Sequence, residues 1–178
     1  MASVTPRQIG SADELGADPR DWIDRTQARW SELRPELDVA PMGVVGRLLR
    51  AAQLIMARCE AYLEPFDLSR AEFDIVSALC RSDSPISPGE LTRQLMFTGP
   101  ATTKRLRRLE RAGWIARSVN PDDARGFLIL ASDDGARRFA ELLPGYLGLE
   151  ASLVSVLDDD ERTALAATLR RLLVDWDG

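Results

Sequence analysis

Five basic side chains, Lys104, Arg105, Arg107, Arg108 and Arg111, fall within eight consecutive positions of a 178-residue chain whose formal net charge is -5. Guanidinium forks and ammonium groups at this density bind anions, phosphates above all. At about 100° per residue, Lys104, Arg107, Arg108 and Arg111 share one helix face, whereas Leu106 and Leu109 point the opposite way. A helix that lies along a row of phosphates with its back in a core needs that division. Between residues 99 and 126 seven bases stand against three acids, a local balance of +4. Screening confines Coulomb forces to roughly 8–10 Å at ordinary salt, so this patch, and not the acidic total, governs an encounter with a polyanion. Other chemistries have little material. The chain has no histidine, which removes His-based triads, His-containing zinc sites and the commonest general base. It also shows no G-x-S-x-G, no P-loop and no paired metal-ligand motif. Neither an enzyme nor a bound metal or cofactor is expected.

The basic stretch needs elements to position it. Ser87-Pro88-Gly89-Glu90 is a capping box with Pro at the first helical position, opening a short helix through Leu91 and Leu95 to about Met96. A turn at Phe97-Thr98-Gly99-Pro100 leads into the basic helix, and Gly113 is placed to stop it. Two short helices joined by a tight turn outline a helix-turn-helix. Beyond Gly113 the period becomes extended: Trp114–Arg117 and Phe127–Leu130 read as strands, with Asn120-Pro121-Asp122-Asp123 and Gly126 between them as the turn. The expectation is a mainly α protein built on a winged helix-turn-helix over residues 68–131, with a small β-hairpin as the wing. In such a domain Gly99, Pro100, Thr102, Thr103 and Lys104 approach base edges, Arg107, Arg108 and Arg111 hold phosphates, and Arg125 at the hairpin tip enters a narrow minor groove.

The flanks read as helix. Residues 1–18 have no period and are expected to form a loose tail. Asp18-Pro19 suits a helix start, with Trp22, Thr26, Trp30 and Leu33 at helical spacing to residue 34. A longer helix runs from about Met42 to Leu63, where Val45, Leu48, Leu49, Ala52, Ile55, Met56 and Cys59 make a broad apolar stripe that Pro65 closes. Ser69 and Glu72 form another capping box, with Phe73, Val76, Leu79 and Cys80 facing inward. Two further helices follow, from Ser132-Asp133 and from Asp158 to Trp176. The helices over 42–65 and 133–176 carry more apolar surface than a winged helix needs, and the excess is expected to be buried in a homodimer. No apolar run approaches the ~20 residues of a membrane span and no secretory segment is visible, so a cytoplasmic protein is expected. Cys59 and Cys80 lack CxxC spacing and read as two buried thiols, with a redox pair as the alternative.

The stretch "TTKRLRRLERAGWIARSVNPDDARGFLIL" resembles the winged-helix signature of the MarR family of bacterial transcription regulators, and the likeness extends from about residue 42 to 176. It carries T-x-R-L-x-R-L-E-x-x-G followed by a D-D-x-R wing, with Ala124 where many members have a second wing arginine. The resemblance implies a homodimer of interlocked N- and C-terminal helices that presents two recognition helices to a palindromic operator and represses until a small ligand binds.

One branch of the family is more similar still. The added helix with "RWSEL", together with "AEFDIVSAL", "TGPATTKRL" and "LLPGYLGLEASL", resembles the urate-responsive, PecS/HucR-like regulators. This implies ligand-binding roles for Trp30, Asp74, Arg105 and Arg117, and release of DNA by urate or a related purine. Another aromatic or carboxylate ligand, or oxidation of Cys59 and Cys80, remains the alternative trigger. The residues themselves support one part: Arg105 lies about 60° or more off the basic face, flanks the core, and wants an anionic partner, either Asp74 or the edge of a planar heterocycle.

Overall fold

The computed structural model describes residues 20–121 and 126–177. They form α1 (Trp22–Leu33), α2 (Ala40–Leu63), a 3-10 turn (Glu64–Phe66), α3 (Arg70–Cys80), α4 (Pro88–Gln94), α5 (Gly99–Arg111), β1 (Ile115–Val119), β2 (Phe127–Ala131), α6 (Asp133–Leu153) and α7 (Asp159–Asp177). The chain divides into two compact units, and the division falls within α2, between Leu54 and Ile55.

In the first unit α1 starts three residues later than its sequence signals suggest. Its cap is Asp21, which accepts from the Asp24 N–H while the Asp24 carboxylate accepts from Asp21 N–H. This reciprocal box satisfies two of the helix's free donors. The expected cap at Asp18-Pro19, like the 1–18 tail, lies outside the described residues. Arg47 of α2 reaches both capping carboxylates, at 2.8 Å to Asp21 and 2.6 Å to Asp24. Gly46 lies against Ile23, the buried side chain of α1: a Cβ there would sit 2.7 Å from Ile23 Cδ1.

In the second unit Pro65 ends α2 as expected, and the chain turns through Asp67 in a left-handed conformation, φ 54°. Ser69 and Glu72 then complete the capping box of α3. This helix runs through the core, burying Phe73, Ile75, Val76 and Leu79. Leu91 of α4, Leu106 and Leu109 of α5, and Phe139, Leu142 and Tyr146 of α6 belong to the same cluster. Ser87 caps α4 by accepting from Glu90 N–H. Gly113, at φ 77°, terminates α5 in a backbone region that glycine tolerates best.

The hairpin is antiparallel, with Ile115 opposite Ala131 and Val119 opposite Phe127. Ile86, before α4, adds a bridge to Ile129 through two N–H···O bonds of 2.8 Å. A single bridging residue has no period, and nothing in the sequence announces it. Trp114, expected as the first strand residue, is instead wholly buried behind the wing. Here α5, the wing and α6 are fastened together. Ser132 Oγ donates to Gly113 O at 2.6 Å, and Ser132 N–H donates to Trp114 O at 3.1 Å. Arg138 donates to Ala112 O at 3.2 Å, with its guanidinium 3.8 Å from the Trp114 ring centroid. The approach of α6 is so close that a Cβ on Gly135 would lie 2.0 Å from Trp114 O. The described residues thus form a mainly α winged helix-turn-helix with a two-stranded wing.

Candidate nucleic-acid interface

The second helix of the helix-turn-helix is α5, and burial along it defines its outer face. Thr102, Leu106 and Leu109 are inside, whereas Thr103, Lys104, Arg107, Glu110 and Arg111 are exposed. On a helical wheel the exposed set spans about 120°, opposite the buried one. Gly99 and Pro100 are exposed at the helix start. The cap residue Thr98 makes no side-chain cap bond. Four of the sequence-expected residues, Gly99, Pro100, Thr103 and Lys104, therefore share the leading edge of the helix, with Arg107 and Arg111 behind them. Arg125 lies outside the described residues.

Two other residues expected at this surface are placed differently. Thr102 is 1% exposed. Its hydroxyl bonds Thr98 O at 3.2 Å and meets Thr92 Oγ1 at 3.0 Å, pinning α5 to α4. A base edge cannot reach it. Arg108 turns sideways, off the basic face: its Nη1 donates to Glu72, and its Nη2 to the Asp67 carboxylate and to Asp67 O at 3.0 Å. Glu72 is 4% exposed. Burial pushes its carboxyl upward, but the bonds from Ser69 and Arg108 outweigh that and hold it below the usual carboxylate range. A long side chain at the margin of a helix face goes to the nearest buried opposite charge, and here that charge is 36 positions away in sequence. Nothing local in the sequence marks the pairing.

The residues named for ligand binding have the following partners. Arg105 is half-buried, its guanidinium 4.7 Å from the ring centroid of Phe97 in the interhelical turn. Asp74 pairs with Arg70 one helical turn before it, not with Arg105. Arg117 pairs with Glu110 at 2.8 Å and lies 4.2 Å over the Phe127 ring. Trp30 stands exposed on α1 in the first unit. The aromatic supports Phe97 and Phe127 are absent from the sequence expectation, since a ring beside a charge in space need not be near it in sequence.

Both cysteines are free. Cys59 is buried and accepts a bond from the Tyr146 hydroxyl at 3.2 Å. Cys80 is half-buried, and burial pushes its thiol up. Beside Arg108 an open groove of about 500 Å3 is lined by Glu60, Glu64, Asp67 and Glu72, an acidic wall unsuited to an anion. Among the described residues no group of three or more His, Cys, Asp or Glu is placed to hold a metal ion. No helix among them is long and apolar enough to cross a membrane.

Comparison with known proteins agrees with this architecture. The MarR family profile matches residues 66–126, from the 3-10 turn before α3 through the first wing strand. The HTH-type transcriptional regulator PecS of Dickeya dadantii is 35% identical over 146 residues, covering 81% of this chain and 88% of PecS. The structure of apo MarR from Escherichia coli superposes with a TM-score of 0.62 at 31% identity, covering 72% of this chain and 96% of MarR. A MarR variant complexed with operator DNA gives 0.64 at 28% identity, covering 81% and 97%. With a winged helix, a basic reading face and a relative of this likeness along most of its length, the chain belongs to the MarR family of transcription regulators and is not an enzyme.

Proposed function

We propose that this regulator binds a palindromic operator as a homodimer, each copy laying α5 in the major groove with the wing beside it. One observation carries the reading: Lys104, Arg107 and Arg111 stand on the exposed arc of α5 opposite Leu106 and Leu109. The likeness in fold to a MarR variant crystallised with operator DNA supports a DNA-binding role. Gly99, Pro100, Thr103 and Lys104 then face base edges and Arg107 and Arg111 face phosphates. The test is fluorescence anisotropy against the intergenic DNA upstream of the chain's own gene, across a salt series. Replacing Lys104, Arg107 and Arg111 together by alanine should weaken binding and reduce the slope of log K against log salt by about 0.9 for each phosphate no longer neutralised. Unchanged affinity and slope would remove the reading.

We further propose that the protein is a repressor released by a small planar anion such as urate. The support is the 35% identity to PecS over 146 residues and the half-buried Arg105, held against an aromatic ring beside the reading helix. An anion there would draw on Arg105 and Arg117 and shift charge at the base of α5. Coupling of roughly 1–3 kcal/mol would lower operator affinity about 5- to 150-fold. Arg105→Ala should keep most operator binding and lose the response; equal urate-driven release by variant and parent would refute the assignment.

A further inference from the structure

We propose that Arg108 is a positioning residue: it reads no DNA, but locks the roll of α5 against the capped N-terminus of α3 through Glu72 and Asp67. The inference rests on the DNA-binding reading above and adds to it what keeps the reading face in register. Leu106 and Leu109 hold α5 to the core along one stripe only, and a stripe of apolar contacts resists rolling weakly. Directional bonds are needed. At the N-terminal end Thr102 Oγ1 accepts one from Thr92 on α4. Further along, Arg108 supplies three more, with donors to the Glu72 carboxylate, the Asp67 carboxylate and the Asp67 carbonyl, while Arg117 and Arg138 tie Glu110 and Ala112 at the far end to the wing and α6.

The receiving side is rigid. Glu72 Oε2 also accepts from Ser69 N–H at 2.9 Å and from Ser69 Oγ at 2.7 Å, so it is the capping carboxylate of α3. The Asp67 carbonyl belongs to the left-handed turn that leads into the same cap. A helix carrying six buried residues, α3 is an anchored element of the core. Were Arg108 to leave for a phosphate, it would strand a buried carboxylate, which costs more than an exposed ion pair returns. The guanidinium therefore stays, and α5 keeps its azimuth. Specific recognition depends on that azimuth, whereas non-specific attraction to duplex depends only on the number of exposed cations.

That distinction supplies the test. The full-length protein selects a duplex from a randomised pool, and anisotropy then compares this duplex with a shuffled one from low to high salt. The variants are Arg108→Met, Arg108→Lys and, as a phosphate-binding control, Arg107→Met, with circular dichroism following the fold. Arg108→Met should weaken binding to the selected duplex about tenfold or more, while shuffled-duplex affinity and salt slope stay those of the parent. Arg108→Lys, which keeps a charge for Glu72, should recover part of that affinity. Arg107→Met should weaken both duplexes alike and reduce the slope by about 0.9. If Arg108→Met unfolds, the double variant Glu72→Gln with Arg108→Gln, which leaves no buried charge alone, carries the same comparison. A reduced slope for the Arg108 variant would make it a phosphate ligand and overturn the lock; so would undiminished preference for the selected duplex. A parent that selects no sequence would overturn the DNA reading, and the positioning role with it.

Discussion

Glu72 joins two structural tasks in one carboxylate, since it closes the cap of α3 and receives Arg108 from α5. Its folded-state pKa lies below the ordinary value of 4.5 although burial works against that. A depressed carboxyl contributes stability that is present above its unfolded pKa and disappears as pH falls through the folded one. Glu72→Gln is therefore expected to destabilise the protein by about 1–3 kcal/mol at pH 7, with the difference from the parent shrinking below pH 4.5. Urea midpoints measured across that range check it; a difference independent of pH would separate stability from the ionised state. The cap was legible in the sequence, because Ser69 and Glu72 stand at the spacing a capping box requires. Its second role was not, since the burial of the carboxylate and the arrival of Arg108 from α5 are set by tertiary packing. Thr102 was misplaced for a related reason: a threonine beside a basic run carries no sign of which way its hydroxyl turns.

At the scale of elements, hydrophobic period and capping chemistry located α3, α4, α5 and α6 and the wing to within a few residues, because each start is written in three or four adjacent side chains. Boundaries moved where two signals competed. The Asp21–Asp24 box set the start of α1, and Trp114 left the expected strand for the core because so large an apolar side chain is better buried behind the hairpin than displayed on it. Gly135 is the element-scale feature the sequence did not mark as critical. It sits within the first turn of α6, where a methyl group would meet Trp114 O at 2.0 Å. Gly135→Ala must push α6 from the wing root, and about 3 kcal/mol or more of destabilisation is expected despite the better helix propensity of alanine. Thermal unfolding of the variant measures this; a gain in stability would show that the junction yields easily.

At the scale of the molecule, each unit leaves apolar side chains uncovered. In the first, Val45 and Leu49 of α2 are 53% and 62% exposed, with Val44 and Leu54 beside them. In the second, Leu165, Leu173, Val174 and Trp176 of α7 are exposed. Burying one leucine is worth about 1.5–3 kcal/mol, so the proposed homodimer has ample driving force. Sedimentation velocity is expected to find a dimer at micromolar concentration. Leu49→Glu should raise the dissociation constant at least about a hundredfold, and a parent that sediments as a monomer would remove the two-fold reading of the operator. A last consequence comes from the fastening at Gly113 and Trp114, where Ser132 and Arg138 grip the end of α5 and the root of the wing together. Torque on α6 would reach helix and hairpin through one shared coupling, so under the proposed reading the two would leave a duplex together, as a single crank.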